Sequence, residues 1–450
     1  MQIDDTNSPY ITGDFETLKA PAIGGVAQRL PAVIQRVSEM LSTIEAGGLD
    51  AVLKYARELD GFRGDTLEIS PAQLAATGDA LAPELREALA VGAARVRQFA
   101  LAQLEHLSDF EIEIRPGAWL GQRYIPVARV GAYLPSGTFP ILASAFMTVG
   151  VAKAAGVPHV IACTPPLHGS IGNPAVLYSA YLSGVDQAYA IGGVQALAAM
   201  AFGLLGEPPV DMLVGAGNAY VTEAKRQLFG RVGIDLLAGP SEVAVIADET
   251  ADPAIVAADL LGQAEHGLLS PASLVTTSRS LGLAVIEEIE RQIPTLSTHD
   301  ICGPAWRDHG TVYLAENREV AAQIMDLLAP EHLEILTSDD SWYHDRLTNY
   351  GSIFLGLWST VAYSDKGITG TNHVLPTGYS ARYTAGLSVS RFVRPLTFQR
   401  LDASATINHA PFVETISAYE GMSAHGATAT RRLALLSDEQ ATEEVATAGV

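Results

Sequence analysis

Two stretches of this chain alternate short apolar runs with helical patterns, and that alternation restricts the fold more than any other feature. In the first stretch, strand-like runs at 127–133, 159–163, 188–191 and 212–214 alternate with helical patterns at 139–155, 174–183, 194–205 and 218–229. In the second, runs at 243–246, 274–277, 312–314, 333–336 and 353–355 are separated by patterns such as 281–293 and 319–328. Helices of about ten to fifteen residues between strands return the chain across a sheet face, so successive strands run parallel. The pattern predicts an α/β protein with two doubly wound, Rossmann-like parallel-sheet units. The segment before them reads as helical: 29–45 ends at Gly47-Gly48, 49–59 ends at Asp60-Gly61, and 71–107 splits at Pro83. The expected organisation is an N-terminal arm at 1–28, one unit from 29–128 with 243–387, and a second from 129–242. A small C-terminal region at 388–450 completes it, and its acidic, alanine-rich end from Ser437 is expected to be poorly ordered.

Composition narrows the class of partner. At 450 residues, with 48% hydrophobic and 17% charged, the chain can build substantial cores. A formal net charge of −22 argues against nucleic acid and anionic membranes as partners. The two cysteines, Cys163 and Cys302, form no CxxC pair, which argues against structural disulfides and a thiolate zinc site and points to a cytoplasmic setting. The acidic N-terminus has no apolar signal region. The apolar stretch 188–206 is broken by Gly192-Gly193 and reads as strand, turn and helix rather than a membrane span.

Several polar residues stand out against this frame. Gln263 and His266 are three apart on a helical pattern and share a face. They suit a divalent metal if other ligands complete the shell, and they equally suit a helix end where His266 meets the dipole and Gly267 stops the helix. Gly215-Ala216-Gly217-Asn218 and Gly192-Gly193-Val194-Gln195 lie at strand-to-helix junctions, where backbone amides can approach a phosphate; both are also ordinary tight turns. Glu331-His332 follows Pro330 and pairs a carboxylate with an imidazole, as acid/base chemistry requires, or is a solvated Glu beside a capping His. The glycine-rich segment 351–376 brings Asp365 and His373 after a strand, at the carboxyl edge where α/β proteins build sites. Glu420 and His425 add a further carboxylate and imidazole. Asp365, His425, Gln263 and His266 together would form a hard N/O shell suited to Zn²⁺ or Mn²⁺.

These residues, in this order, resemble the histidinol dehydrogenase family. The blocks that carry the likeness are VGAYLP from Val130, GGVQALAA from Gly192, GAGNAYVTEAKRQ from Gly215 and AGPSEV from Ala238. DLLGQAEHG from Asp259, PEHLEI from Pro330, TNHVLPTG from Thr371 and EGMSAH from Glu420 continue it over roughly residues 30 to 430. The resemblance implies zinc held by Gln263, His266 and Asp365, with His425 supplied by the partner of an intertwined homodimer through the C-terminal region. It implies that His332 takes the alcohol proton as hydride leaves to NAD⁺, and that Glu331 activates water for the second oxidation. Tyr133, Gln195 and Asn218 match NAD-holding positions. Ser241, His373 and Glu420 match substrate-contacting ones, together with the metal set and His332.

The departures fall around the expected substrate loops. Ser364-Asp365-Lys366 replaces the usual Gly-Asp-Tyr, GAGN replaces GPGN, and LPSGTFPILASAF follows Tyr133 in place of a more glycine-rich segment. The expected activity is oxidation of a primary alcohol through its aldehyde to a carboxylate, with L-histidinol as the named substrate. Lys366 admits another small polar or anionic alcohol, such as 2,3-dihydroxypropanesulfonate. A non-catalytic metal- or nucleotide-binding relative and a zinc hydrolase or lyase are the readings from other classes.

Overall fold

Strand β10 (Val243–Ala247) reads VAVIA and is buried along its whole length, as expected of a strand covered on both faces. It lies at the centre of a six-stranded sheet in the order β1 (Phe15–Lys19), β12 (Thr311–Ala315), β11 (Ala272–Thr276), β10, β13 (His332–Leu336), β14 (Ser352–Leu355). Only β1 is antiparallel to its neighbour. A second six-stranded sheet runs β2 (Glu68–Ile69), β7 (Gln187–Ala190), β6 (His159–Thr164), β5 (Arg129–Tyr133), β8 (Met212–Val214), β9 (Gly233–Ile234). Here only β2 is antiparallel. In both sheets the first parallel strand of the series is central and the order reverses beside it, between β10 and β13 and between β5 and β8.

This is a computed structural model, and it describes residues 10–23, 31–137 and 139–448, with side chains to residue 436. Both sheets belong to one compact unit, Met1–Leu104 with Pro126–Phe392. The other unit, Glu105–Ile125 with Val393–Val450, contains a three-stranded sheet ordered β15 (Val393–Leu401), β4 (Ala118–Pro126), β3 (Phe110–Arg115). Two helices follow, Ala403–Tyr419 and Ser423–Ala448, packed on each other. The disorder expected from Ser437 concerns residues whose side chains lie outside the described set, as do 1–9 and 24–28 of the expected arm.

The N-terminal hundred residues are placed differently from expectation. The helix Pro31–Leu59, kinked at Gly48 (φ 59°) where Gly47-Gly48 predicted a stop, packs on the helices Gly193–Phe202 and Ala219–Leu228. Its buried face of Val37, Ile44 and Val52 joins the core of the β5-centred sheet, not that of the 243–387 series. Residues 105–125 belong to the smaller unit. Amphipathic periodicity shows which face a helix buries and is silent on what covers it. Of the two short antiparallel strands, β1 falls in the expected arm and β2 between the helical patterns ending at Asp60-Gly61 and beginning at Pro71. The helix expected over 139–155 begins later: Ser136 and Pro140 form a bridge, and a π-turn at Phe146–Gly150 runs into Val151–Ala154. Among the described residues no helix is long and apolar enough to cross a membrane.

Candidate active site

Sheet register assembles the first cluster. Val243 stands opposite His332 in the parallel pair β10–β13, so the segments entering these strands lie side by side. Ser241 and Glu242 enter β10, Glu331 enters β13, and His332 is the first residue of β13. The cluster therefore sits at the amino edge of this sheet, not at the carboxyl edge expected from the 351–376 loop. The connecting helices explain how ligand candidates reach that edge. A helix that returns antiparallel to the strands ends where they begin, and Gln263 lies at the end of Pro253–Ala264, as Asp365 does at the end of Val361–Asp365. Helix C-termini carry partial negative charge, which favours a cation.

The side chains form one connected network. Ser241 Oγ donates to Glu331 Oε2 at 2.7 Å and accepts from Gln263 Nε2. The Glu242 backbone N–H donates to the same Glu331 oxygen at 2.9 Å. Burial raises Glu331 well above the ordinary carboxyl range, with the Ser241 and Glu242 hydrogen bonds opposing it. His332 Nδ1 lies 3.0 Å from the Glu242 carbonyl, an acceptor only, so this nitrogen carries the proton. Nε2, the nitrogen left with a lone pair, is buried without a hydrogen-bond partner among the described residues, 3.7 Å from Asp365 Oδ1. Burial pushes the imidazole down to about 4, so it is neutral at physiological pH.

Asp365 Oδ2 lies 3.3 Å from His266 Nε2. Burial raises the carboxyl, but the His266 hydrogen bond and the imidazoles of His373 and His332 outweigh it and hold the group well below its usual range. His373 Nδ1 is 3.1 Å from the Asp365 carbonyl, and its imidazole is lowered chiefly by burial, which Asp365 opposes. Lys366 itself is exposed. These groups fit a divalent cation in donor type. His266 and Asp365 converge, and with its nitrogen committed to Ser241 the Gln263 amide retains its carbonyl oxygen as a donor. Among the described residues, however, no three His, Cys, Asp or Glu side chains close into a metal cage. Glu420 and His425 lie exposed in the smaller unit, Glu420 as the C-cap of Ala403–Tyr419 and His425 in the first turn of Ser423–Ala448.

The second cluster lies at the carboxyl edge of the β5-centred sheet. Tyr133 ends β5, and its buried hydroxyl accepts from Gly193 N at 3.4 Å. Burial raises that hydroxyl to about 12. Gln195 is buried on the following helix and donates to Asp60 Oδ2 at 2.9 Å, where Gly192 N also donates at 2.9 Å. Asn218 caps Ala219–Leu228, its Oδ1 accepting from Tyr220 N and Val221 N. Two helix N-termini thus face the edge where the strand order reverses, the place where open α/β sheets bind ligands. Sequence reasoning missed Asp60, read only as part of a helix stop, and Glu242, passed over inside AGPSEV.

The model of the family described as histidinol dehydrogenase matches residues 26–433. The chain belongs to the histidinol dehydrogenase family. It is an oxidoreductase of that family's type, an NAD-dependent dehydrogenase of alcohol groups. It is 45% identical over 404 residues to the sulfopropanediol 3-dehydrogenase of Ruegeria pomeroyi, covering 89% of this chain and 92% of that one. A histidinol dehydrogenase homolog of Shouchella clausii is 44% identical over 402 residues, 89% of this chain and 94% of its own. The histidinol dehydrogenase of Cereibacter sphaeroides is 39% identical over 440 residues, 97% and 99% of the two chains. The crystal structure of histidinol dehydrogenase from Elizabethkingia anophelis superposes with a TM-score of 0.87 at 32% identity, covering 92% and 95%.

Proposed function

We propose that this enzyme oxidises a small primary alcohol through its aldehyde to a carboxylate, with His332 as the base and Glu331 activating water for the second step. The observation that carries this reading is the fixed tautomer of His332: Nδ1 is held by the Glu242 carbonyl, and Nε2 is left buried beside Asp365, without a hydrogen-bond partner among the described residues. A neutral imidazole nitrogen without a competing donor is the group that accepts an alcohol proton. Bound NAD⁺ supplies the hydride acceptor, and Tyr133, Gln195 and Asn218 would hold it. The reversal of strand order at β5 and β8 supports a Rossmann-like reading of that half.

Gln263, His266 and Asp365 would hold a zinc ion, with His425 of a second copy completing the shell. Such an ion supplies Lewis-acid polarisation and a template for the substrate oxygens. Ser241, His373 and Glu420 would orient the substrate beside it. A homodimer accounts for the apolar exposure of the smaller unit, where Phe412 is 70%, Ile416 57% and Tyr419 96% exposed. A cytoplasmic setting fits the two free cysteines, both buried.

L-Histidinol is one substrate of this reading. The higher identity to a sulfopropanediol dehydrogenase, and an exposed lysine at 366 next in sequence to Asp365, favour a small anionic alcohol. NADH formation by the zinc-supplemented protein with L-histidinol and with 2,3-dihydroxypropanesulfonate tests both. Turnover of neither, with NAD bound, would sink the proposed activity.

A further inference from the structure

Beneath the turn that joins β8 to Ala219–Leu228 lies an ion pair to which the reaction above gives no part. Lys225 and Asp235 are paired with side chains 2% and 0% exposed. Both hold Gly215. Asp235 Oδ2 accepts the Gly215 N–H at 2.7 Å, and Lys225 Nζ donates to the Gly215 carbonyl at 2.9 Å. Gly215 has φ 117°, and a Cβ there would fall 2.2 Å from the Tyr133 carbonyl oxygen. The backbone of 215 thus passes directly against the end of β5, where the strand order reverses.

Asp235 also holds the start of the strap that leads to the other cluster, and other residues hold the rest. Asp235 Oδ1 accepts the Leu236 N–H at 2.6 Å, and Thr222 Oγ1 donates to the Ala238 carbonyl at 2.7 Å. Gly239 N donates to Thr377 Oγ1 at 2.5 Å, and Ser241 then reaches Glu331. Stability gives little reason for such a pair, because desolvating two charges costs several kcal/mol per ion and apolar replacements are often neutral or better. What two apolar side chains cannot do is hold both backbone groups of a glycine in a conformation other residues avoid.

We propose that Lys225 and Asp235 are positioning residues for the dinucleotide, locking the Gly215 turn so that Tyr133 and Asn218 keep one geometry. The inference rests on reading this turn as part of the NAD site. Its test is the double variant K225M/D235L, measured for thermal stability, NAD dissociation constant and the separate KM values for NAD and alcohol. The expected result is a folded protein with the dissociation constant and KM for NAD raised about tenfold or more and the alcohol KM within about twofold. A folded double variant that binds NAD like the wild type overturns the proposal. If the double variant does not fold, Asp235→Asn carries the test, because one of its atoms can no longer accept; the same loss of NAD affinity is expected, and unchanged affinity overturns it. Asn218→Ala separates the two ideas. If N218A weakens NAD binding and the pair variants do not, only the positioning role fails; if none of them does, the turn is not the NAD site and both readings fall.

Discussion

Ser241 Oγ donates a 2.7 Å hydrogen bond to Glu331 Oε2, joining residues ninety positions apart that share no element of secondary structure. The contact exists because β10 and β13 are adjacent parallel strands, with Val243 opposite His332. It connects the Gln263 end of one helix to the residue beside the proposed base. Removing the hydroxyl in Ser241→Ala leaves a buried carboxyl with one donor fewer and frees the Gln263 amide. Metal affinity or turnover should fall about 10- to 100-fold. Metal titration and steady-state rates on the folded variant check this, and an unchanged rate would remove Ser241 from the working site.

His332→Asn takes away the nitrogen that receives the proton while keeping a donor for the Glu242 carbonyl. The turnover number should drop by about 10²- to 10⁴-fold, with the KM for NAD little changed. A loss confined to KM would point to substrate binding instead of proton transfer.

The proposed metal can be tested by stability as well as rate. A ligand that binds only the folded protein stabilises it by mass action, about 2.7 kcal/mol at a hundredfold excess over its dissociation constant. Chelation should therefore lower the melting temperature of the wild type. His266→Ala should lower that temperature in zinc and abolish the response to chelator. A wild type indifferent to chelation, zinc and metal analysis alike would leave the His266–Asp365 contact as an ordinary ion pair.

Glu242 gives a pH signature. Burial raises its carboxyl from 4.5 to about 7, so between these values the folded state holds a proton that the unfolded state has released. Its contribution is present in full below 4.5 and declines as pH rises to about 7, a change on the order of 3 kcal/mol. Glu242→Gln should lack that slope. Denaturant unfolding of metal-free wild type and variant at pH 5 and pH 8 measures the difference, and parallel pH profiles would refute it.

Lys366→Ala should raise the KM for 2,3-dihydroxypropanesulfonate roughly fivefold, the effect of about 1 kcal/mol expected of an exposed charge pair. The KM for L-histidinol should not rise. Equal effects on both substrates would show that the ammonium does not read the anionic group.

Much of this organisation was legible in the chain. Apolar runs and helical patterns report local burial, and they located the parallel strands from β5 to β14 apart from the two-residue β9. Motif residues such as Gln263, His266, Glu331, His332 and Asp365 could be picked out because their chemistry and spacing are themselves local. Other decisions depend on long-range pairing, which no local period encodes. Register at Val243 and His332 put the acid/base pair on the amino edge of its sheet, and Asp365 joins it there although the 351–376 segment was expected at the carboxyl edge. The partners of Pro31–Leu59, the helices Gly193–Phe202 and Ala219–Leu228, were likewise set by tertiary packing. The buried partnerships of Asp60 with Gln195 and of Lys225 with Asp235 were equally hidden, since in sequence each charged residue looks like any solvated one. A polar side chain acquires such a role only when the fold removes water from around it and leaves one partner within reach.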